Sequence, residues 1–295
     1  MPASPRLLLT GATGNVGGAA LRELLRLRPA GTQLAVTSRG PECDRAHLAL
    51  GAAEQVEVVP FDFTKPETVA PALKGVTGLL LVRPPAISEV ARYLKPVVQA
   101  AAAAGVRHVV FLSLQGAQYN PFVPHHQVEG YLKKSGLRYS LLRPGFFMQN
   151  LSTTHRDDIR RRDQLLLPAG HGRTSFVDAD DVGTVAARLL LAPPAAPAGY
   201  ELTGRTAFTY DEVAAQLSTV LGRRIRYHAA SIRAFRAYER TKGTPLALIN
   251  VMTGIYLAAR FGLAAHVSPV LAGLLGHEPG TLQAFLSRER ACWLP

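Results

Sequence analysis

The sequence predicts an α/β protein: a doubly wound parallel sheet followed by a smaller, mostly helical region. Three observations carry this reading. Short apolar runs alternate with helical patterns from the first residues onward, as in strand–helix–strand units. A glycine-rich segment follows the first strand at once and opens the first helix. Val106–Leu112 is a near-continuous apolar run, the kind found in a parallel strand covered on both faces.

Taken in order, Leu7–Leu9 is the first strand. Ala20, Leu21, Leu24 and Leu25 then recur at helical spacing until Pro29 and Gly31 end the helix. Leu34–Thr37, Val56–Pro60 and Leu79–Val82 read as strands two, three and four, the last stopped by Pro84 and Pro85. Glu89–Ala104 reads as one alanine-rich helix, Val106–Leu112 as strand five, His125–Ser135 as a helix and Tyr139–Leu142 as strand six. After Gly145 the rhythm changes. Gln164–Gly172 reads as an irregular hairpin, Ala179–Leu191 as a helix and Ala192–Gly199 as a Pro/Ala connector. Tyr200–Thr203 resumes a strand, and Tyr210–Leu221 is an amphipathic helix ended by Gly222. From Ser231 onward the pattern is helical and apolar. The expected domains are residues 1–150 and 151–295, with a segment near 174–205 threaded back into the first.

Gly11-x-x-Gly14-x-x-Gly17 carries the clearest chemistry, because it lies between a strand and a helix. The first glycine permits a tight turn, the second lets backbone approach a pyrophosphate, and the third lets helix and strand pack closely. The helix start then offers free N–H groups to the phosphates, so Thr13, Asn15 and Val16 join the glycines as candidate cofactor-binding residues. A ribose 2′-hydroxyl would call for an acid at the end of strand two. That position instead reads Thr37-Ser38-Arg39, with no acid before Glu42. Arg39 and Ser38 suit a 2′-phosphate, which points to NADPH. Asp62 and Phe63, just past strand three, are placed to meet the adenine ring.

Further segments carry a family resemblance. Phe111-Leu112-Ser113, the run His126–Leu132, Leu142–Asn150, Phe176–Val182 and Tyr200–Gly204 join the glycine loop in a joint spacing over about two thirds of the chain. Together they resemble the atypical short-chain dehydrogenases/reductases, in particular the NmrA-like group that includes quinone and triphenylmethane-dye reductases. The resemblance implies a Rossmann-type fold and NADP(H), with the nicotinamide near Ser113 and the Pro144-Gly145-Phe146 turn. Residues 231–295 resemble the group only in being apolar and helical.

Standard short-chain members carry Ser…Tyr-x-x-x-Lys, in which the tyrosine protonates a carbonyl oxygen. The one match, Tyr238 to Lys242, falls about a hundred residues too late and reads as coincidence. At the expected place the chain offers Tyr119, His125 and His126, with His125 at the position of a lysine in some relatives. Histidine, ordinarily near pKa ~6.5, is a candidate proton donor, and Ser113 a candidate oxyanion donor. Alternatively, the substrate carries its own acidic hydroxyl or yields a stabilised anion such as a hydroquinone.

Other patterns are explained without a site. Asp178, Asp180 and Asp181 read as a helix start with first-turn carboxylates, and no metal site is expected. The 33 basic residues exceed the 21 acidic ones, giving +12, but 27 are Arg and they are spread along the chain. That argues against a nucleic-acid partner. No apolar run reaches the ~20 residues of a spanning helix, and Cys43 and Cys292 lack metal or redox spacing. A cytoplasmic protein, monomeric or homodimeric, is the expectation.

The reading that results is an NADPH-dependent reductase of a hydrophobic carbonyl or quinone-type substrate. An aromatic polyketide ketone of bacterial secondary metabolism is the narrower expectation. A non-catalytic NADP(H) sensor and a redox-neutral isomerase or cyclase are the alternatives.

Overall fold

The structure is a computed structural model that describes residues 4–40 and 56–294. Glu42 and Cys43 lie outside the described residues. The chain forms two compact units, Met1–Pro144 with Ala179–Leu202, and Gly145–Asp178 with Thr203–Pro295.

The first unit is built on seven strands: β1 (Arg6–Leu9), β2 (Gln33–Ser38), β3 (Val56–Pro60), β4 (Gly78–Val82), β5 (His108–Leu112), β6 (Arg138–Pro144) and β10 (Ala198–Leu202). They run in the order β10-β6-β5-β4-β1-β2-β3, and every neighbouring pair is parallel. This is a Rossmann-type doubly wound sheet, as the alternating pattern predicts. The order reverses between β1 and β4, and that reversal opens a crevice at the carboxyl ends of the strands.

Burial on both faces explains the near-continuous apolar strands. Leu79, Leu81, Val109 and Phe111 pack against Val98 and Val128 of the helices Lys95–Ala103 and Pro124–Lys133. Helices Asn15–Leu27 and Ala179–Leu191 pack against each other. Their approach depends on Gly183, where a Cβ would stand 2.4 Å from the Ala19 Cβ.

One expected helix is divided. Glu89–Ala104 forms Val90–Tyr93 and Lys95–Ala103 instead. Pro96 lacks the N–H that would continue the first segment, and its ring crowds the preceding turn.

The second unit carries two small sheets. β7 (Phe146–Phe147) is parallel to β9 (Arg173–Val177), which is antiparallel to β11 (Ala207–Thr209). β8 (Gln164–Leu167) pairs in parallel with β12 (Arg226–Ala229). The expected hairpin at Gln164–Gly172 is therefore incorrect. Leu165 and Leu167 do alternate inward, but their partner strand lies sixty residues on.

Helix Tyr210–Leu221 starts with a reciprocal Thr209–Glu212 capping box and ends at Gly222, whose φ of 68° favours glycine. Phe176, Tyr210, Phe235, Tyr256, Phe285 and Trp293 form the aromatic centre of this unit's core. Among the described residues, no helix is long and apolar enough to cross a membrane.

Candidate cofactor and substrate site

The glycine loop leaves β1 at its carboxyl end, on the crevice side of the sheet. Gly11 adopts φ 69°, and its carbonyl accepts the Gly14 N–H at 3.0 Å. A Cβ on Gly17 would stand 2.1 Å from the Gly11 carbonyl oxygen, so only glycine fits where helix and loop meet. Gly14 caps helix Asn15–Leu27 with no side chain over its first-turn N–H groups. Thr13, Gly14 and Asn15 are exposed, whereas the Val16 side chain is buried and offers only its backbone. The result is a bare helix start beside a collapsed glycine turn, which fits a pyrophosphate.

Thr10, absent from the expected set, holds this loop. Its hydroxyl donates to the Leu80 carbonyl at 3.1 Å and accepts the Val82 N–H at 2.7 Å, tying β1 to β4.

At the ends of β2 and β3 the expected residues separate. Ser38 is buried and accepts the Gly40 N–H at 2.9 Å, while Arg39 is exposed. The Asp62 carboxylate is capped by the Thr64 N–H and hydroxyl, both at 2.8 Å. The Thr64 backbone bond leads in holding its pKa below the usual value against burial, helped by the Thr64 hydroxyl, Lys65 and Arg39. The Phe63 ring is buried edge-on against Phe61, 4.8 Å between centroids, so the backbone is what this position offers for the expected adenine contact.

The ends of β5 and β6 carry the expected reactive groups, with changed roles. The Ser113 hydroxyl donates to Glu129 Oε1 at 2.7 Å, so its proton is taken and the expected oxyanion donor role is not supported. Glu129 also accepts a fork from Arg143, Nε at 2.9 Å and NH2 at 2.7 Å. Burial pushes the Glu129 pKa up, but the hydrogen bonds from Arg143 and Ser113 outweigh it and hold the carboxyl ionised.

His125 sits one helical turn before Glu129, with its Nε2 3.5 Å from Arg83 Nε and its Nδ1 buried without a partner. Burial first, then the Arg83 charge, pushes its pKa down to about 3 against the opposing pull of Glu129. His125 is thus neutral near pH 7. His126 donates from Nδ1 to the Ala117 carbonyl at 2.8 Å. Tyr119 is 83% exposed in a short 3₁₀ turn. Pro144 closes β6 and accepts the Gln115 N–H.

Gly145 and Phe146 begin the second unit, where the Phe146 ring meets Phe176 edge-on at 5.4 Å. In the same unit, helix Leu246–Arg260 exposes Leu246, Leu248, Val251 and Ile255. Tyr238 and Lys242 both bond to Asp158, Lys242 at 2.9 Å. The late Tyr-x-x-x-Lys spacing therefore serves a buried latch between helices Arg156–Arg162 and Ile232–Thr241. Asp178 accepts from Gln149 and Arg288. Among the described residues, no group of three or more His, Cys, Asp and Glu is placed to hold a metal ion.

A sequence model of the NmrA-like family matches residues 4–270. The chain belongs to that family. It is 32% identical to the (4-alkanoyl-5-oxo-2,5-dihydrofuran-3-yl)methyl phosphate reductase of Streptomyces griseus, over 98% of this chain and 99% of that one. The NADPH-dependent quinone oxidoreductase of Escherichia coli, solved with NADPH, superposes with TM-score 0.86 at 28% identity, over 96% and 99% of the two chains. The Citrobacter triphenylmethane reductase solved with NADP(H) gives TM-score 0.85 at 25% identity, also over 96% and 99%.

Within the NmrA-like frame, Glu129, Arg143 and Arg83 are the residues that sequence reasoning passed over. A signal was present: Arg143 interrupts the apolar Leu141-Leu142 strand, and Glu129 lies between buried Val128 and Leu132. A charge on a buried face asks for a partner, and each is the other's.

Proposed function

We propose that this protein is an NADPH-dependent reductase of hydrophobic, conjugated electrophiles of the quinone type. One observation carries the reading. The carboxyl-terminal sheet edge joins a glycine turn that fits a pyrophosphate to three groups, Ser113, Glu129 and His125, with no proton ready to give. Ser113 spends its hydroxyl on Glu129, Glu129 is ionised, and His125 is neutral.

NADPH, when bound, supplies a hydride. The glycine loop and the start of helix Asn15–Leu27 hold its phosphates, and Arg39 reads the 2′-phosphate. A quinone that accepts hydride becomes a hydroquinone monoanion, stable enough to take its proton from water. A simple ketone becomes an alkoxide, which needs an acid at hand. The site therefore favours the first.

The named relatives agree in chemistry, since a quinone and a 4-alkanoyl-5-oxo-dihydrofuran are both conjugated acceptors. A polycyclic aromatic ketone with its own acidic ring hydroxyl belongs to the same class.

The test is NADPH consumption with a naphthoquinone beside cyclohexanone. The expected result is turnover of the quinone with kcat/KM at least about a hundredfold higher, a difference of about 2.7 kcal/mol in transition-state stabilisation. Equal turnover of the ketone, or none of the quinone, contradicts the reading.

A further inference from the structure

Ser113, Glu129 and Arg143 form a closed unit at the end of β5, on helix Pro124–Lys133 and on β6. The Glu129 side chain is 1% exposed, and every group facing it is a donor or a cation. Arg143 and Ser113 bond to it directly, Lys133 Nζ stands at 3.7 Å, and His125 lies one turn away. Gly199 on β10 makes room for the arginine, because a Cβ there would stand 2.9 Å from Arg143 NH1. Arg143 in turn feels Glu201 and Tyr119 as well as Glu129.

A hydroxyl has one proton and two lone pairs. An ionised carboxylate only accepts, so it commands the Ser113 proton and leaves lone pairs as the serine's free hydrogen-bonding capacity. Strand order gives that capacity a direction. Arg39 and Asp62 follow β2 and β3, on one side of the reversal at β1 and β4, whereas Ser113 follows β5 on the other. A dinucleotide laid across the crevice with its adenine end over β2 and β3 brings its nicotinamide end over β4 and β5. The nicotinamide ring has one hydrogen-bond donor, its carboxamide NH2.

We infer that Glu129 is a positioning residue that makes Ser113 a hydrogen-bond acceptor for the carboxamide of the bound cofactor. The inference rests on the NADPH reading above. Glu129 of helix Pro124–Lys133 thus serves recognition of the cofactor in this chain, and supplies no proton.

The test measures binding, with no turnover required. NADP⁺ and its 3-acetylpyridine analogue, in which methyl replaces the carboxamide NH2, are titrated by calorimetry into wild type, S113A and E129Q. Wild type is expected to bind NADP⁺ about tenfold more tightly than the analogue, the worth of one good hydrogen bond. S113A, which leaves the Glu129–Arg143 pair intact, brings the ratio close to one. E129Q does the same, because the new amide can donate to Ser113 and release its proton toward the ligand. A purely structural role would weaken both ligands alike and leave the ratio unchanged. An equal ratio in wild type, or an unchanged ratio in S113A or in folded E129Q, overturns the inference alone. Absence of NADP⁺ binding to wild type overturns the cofactor reading along with it.

Discussion

Arg39 follows β2 with its side chain exposed, and its proposed role is to meet a 2′-phosphate by charge and by its planar fork. Replacing it with alanine is expected to lower the preference for NADPH over NADH by about tenfold or more, read from dissociation constants for each. An unchanged ratio would show that the arginine is only a solvated surface residue. At this scale the sequence disclosed which residues gather at the sheet edge, but not what they do. Ser113 and His125 were legible as polar groups after strand five. Their roles were not, because a hydroxyl's direction and a histidine's charge depend on neighbours distant in sequence. Glu129 is sixteen residues beyond Ser113, and Arg83 is forty-two before His125. At Phe63 the aromatic was visible, but its burial against Phe61 was not.

Among the elements, two glycines set how closely helices approach their neighbours. Gly17→Ala places a methyl group 2.1 Å from the Gly11 oxygen and must open the loop. The variant is expected to fold yet bind NADPH at least about tenfold more weakly in a fluorescence titration, since the loop's N–H groups lose their alignment. Binding within twofold of wild type would contradict the loop's role. Gly183→Ala acts on stability instead. Its Cβ would press on Ala19 across the helix pair, and such overpacking costs roughly 1–3 kcal/mol by denaturant unfolding. No loss would mean that the crossing has slack. The elements were the most legible level. Val56–Pro60, Ala179–Leu191 and Tyr210–Leu221 form over the residues expected, because each combines strong periodicity with a sharp start or stop. β12 was missed because Arg226–Ala229 buries almost nothing and carries no alternating signal. The β8 pairing was missed because an alternating run says which face is buried and nothing about its partner.

For the whole molecule, two buried histidines and the half-buried His125 tie stability to pH. Burial leads in each case and pushes His108 and His155 down to about 4 and His125 to about 3, from 6.5. Charges on Arg138, Lys242 and Arg83 add to the effect on His108, His155 and His125 in turn. The unfolded chain takes up these protons near pH 6.5 while the folded one resists. Stability is therefore flat above that point and falls as the pH drops toward 4, by several kcal/mol in sum. Glu129 and Asp158, whose pKa values are lowered in the fold, add a further loss only at more acidic pH. Chemical denaturation across this range checks the sign, and constant stability down to pH 4 would contradict it.

The same protonation states bear on the proposed chemistry, because they leave Ser113, Glu129 and His125 without a readily donated proton near neutrality. The most direct test mixes NADPH-loaded protein with a naphthoquinone in single turnovers between about pH 6 and 9, following loss of NADPH absorbance. Rapid, saturable loss at a rate independent of pH is the expected result. No loss of NADPH, or a rate that falls toward alkaline pH as a protein acid deprotonates, would contradict it.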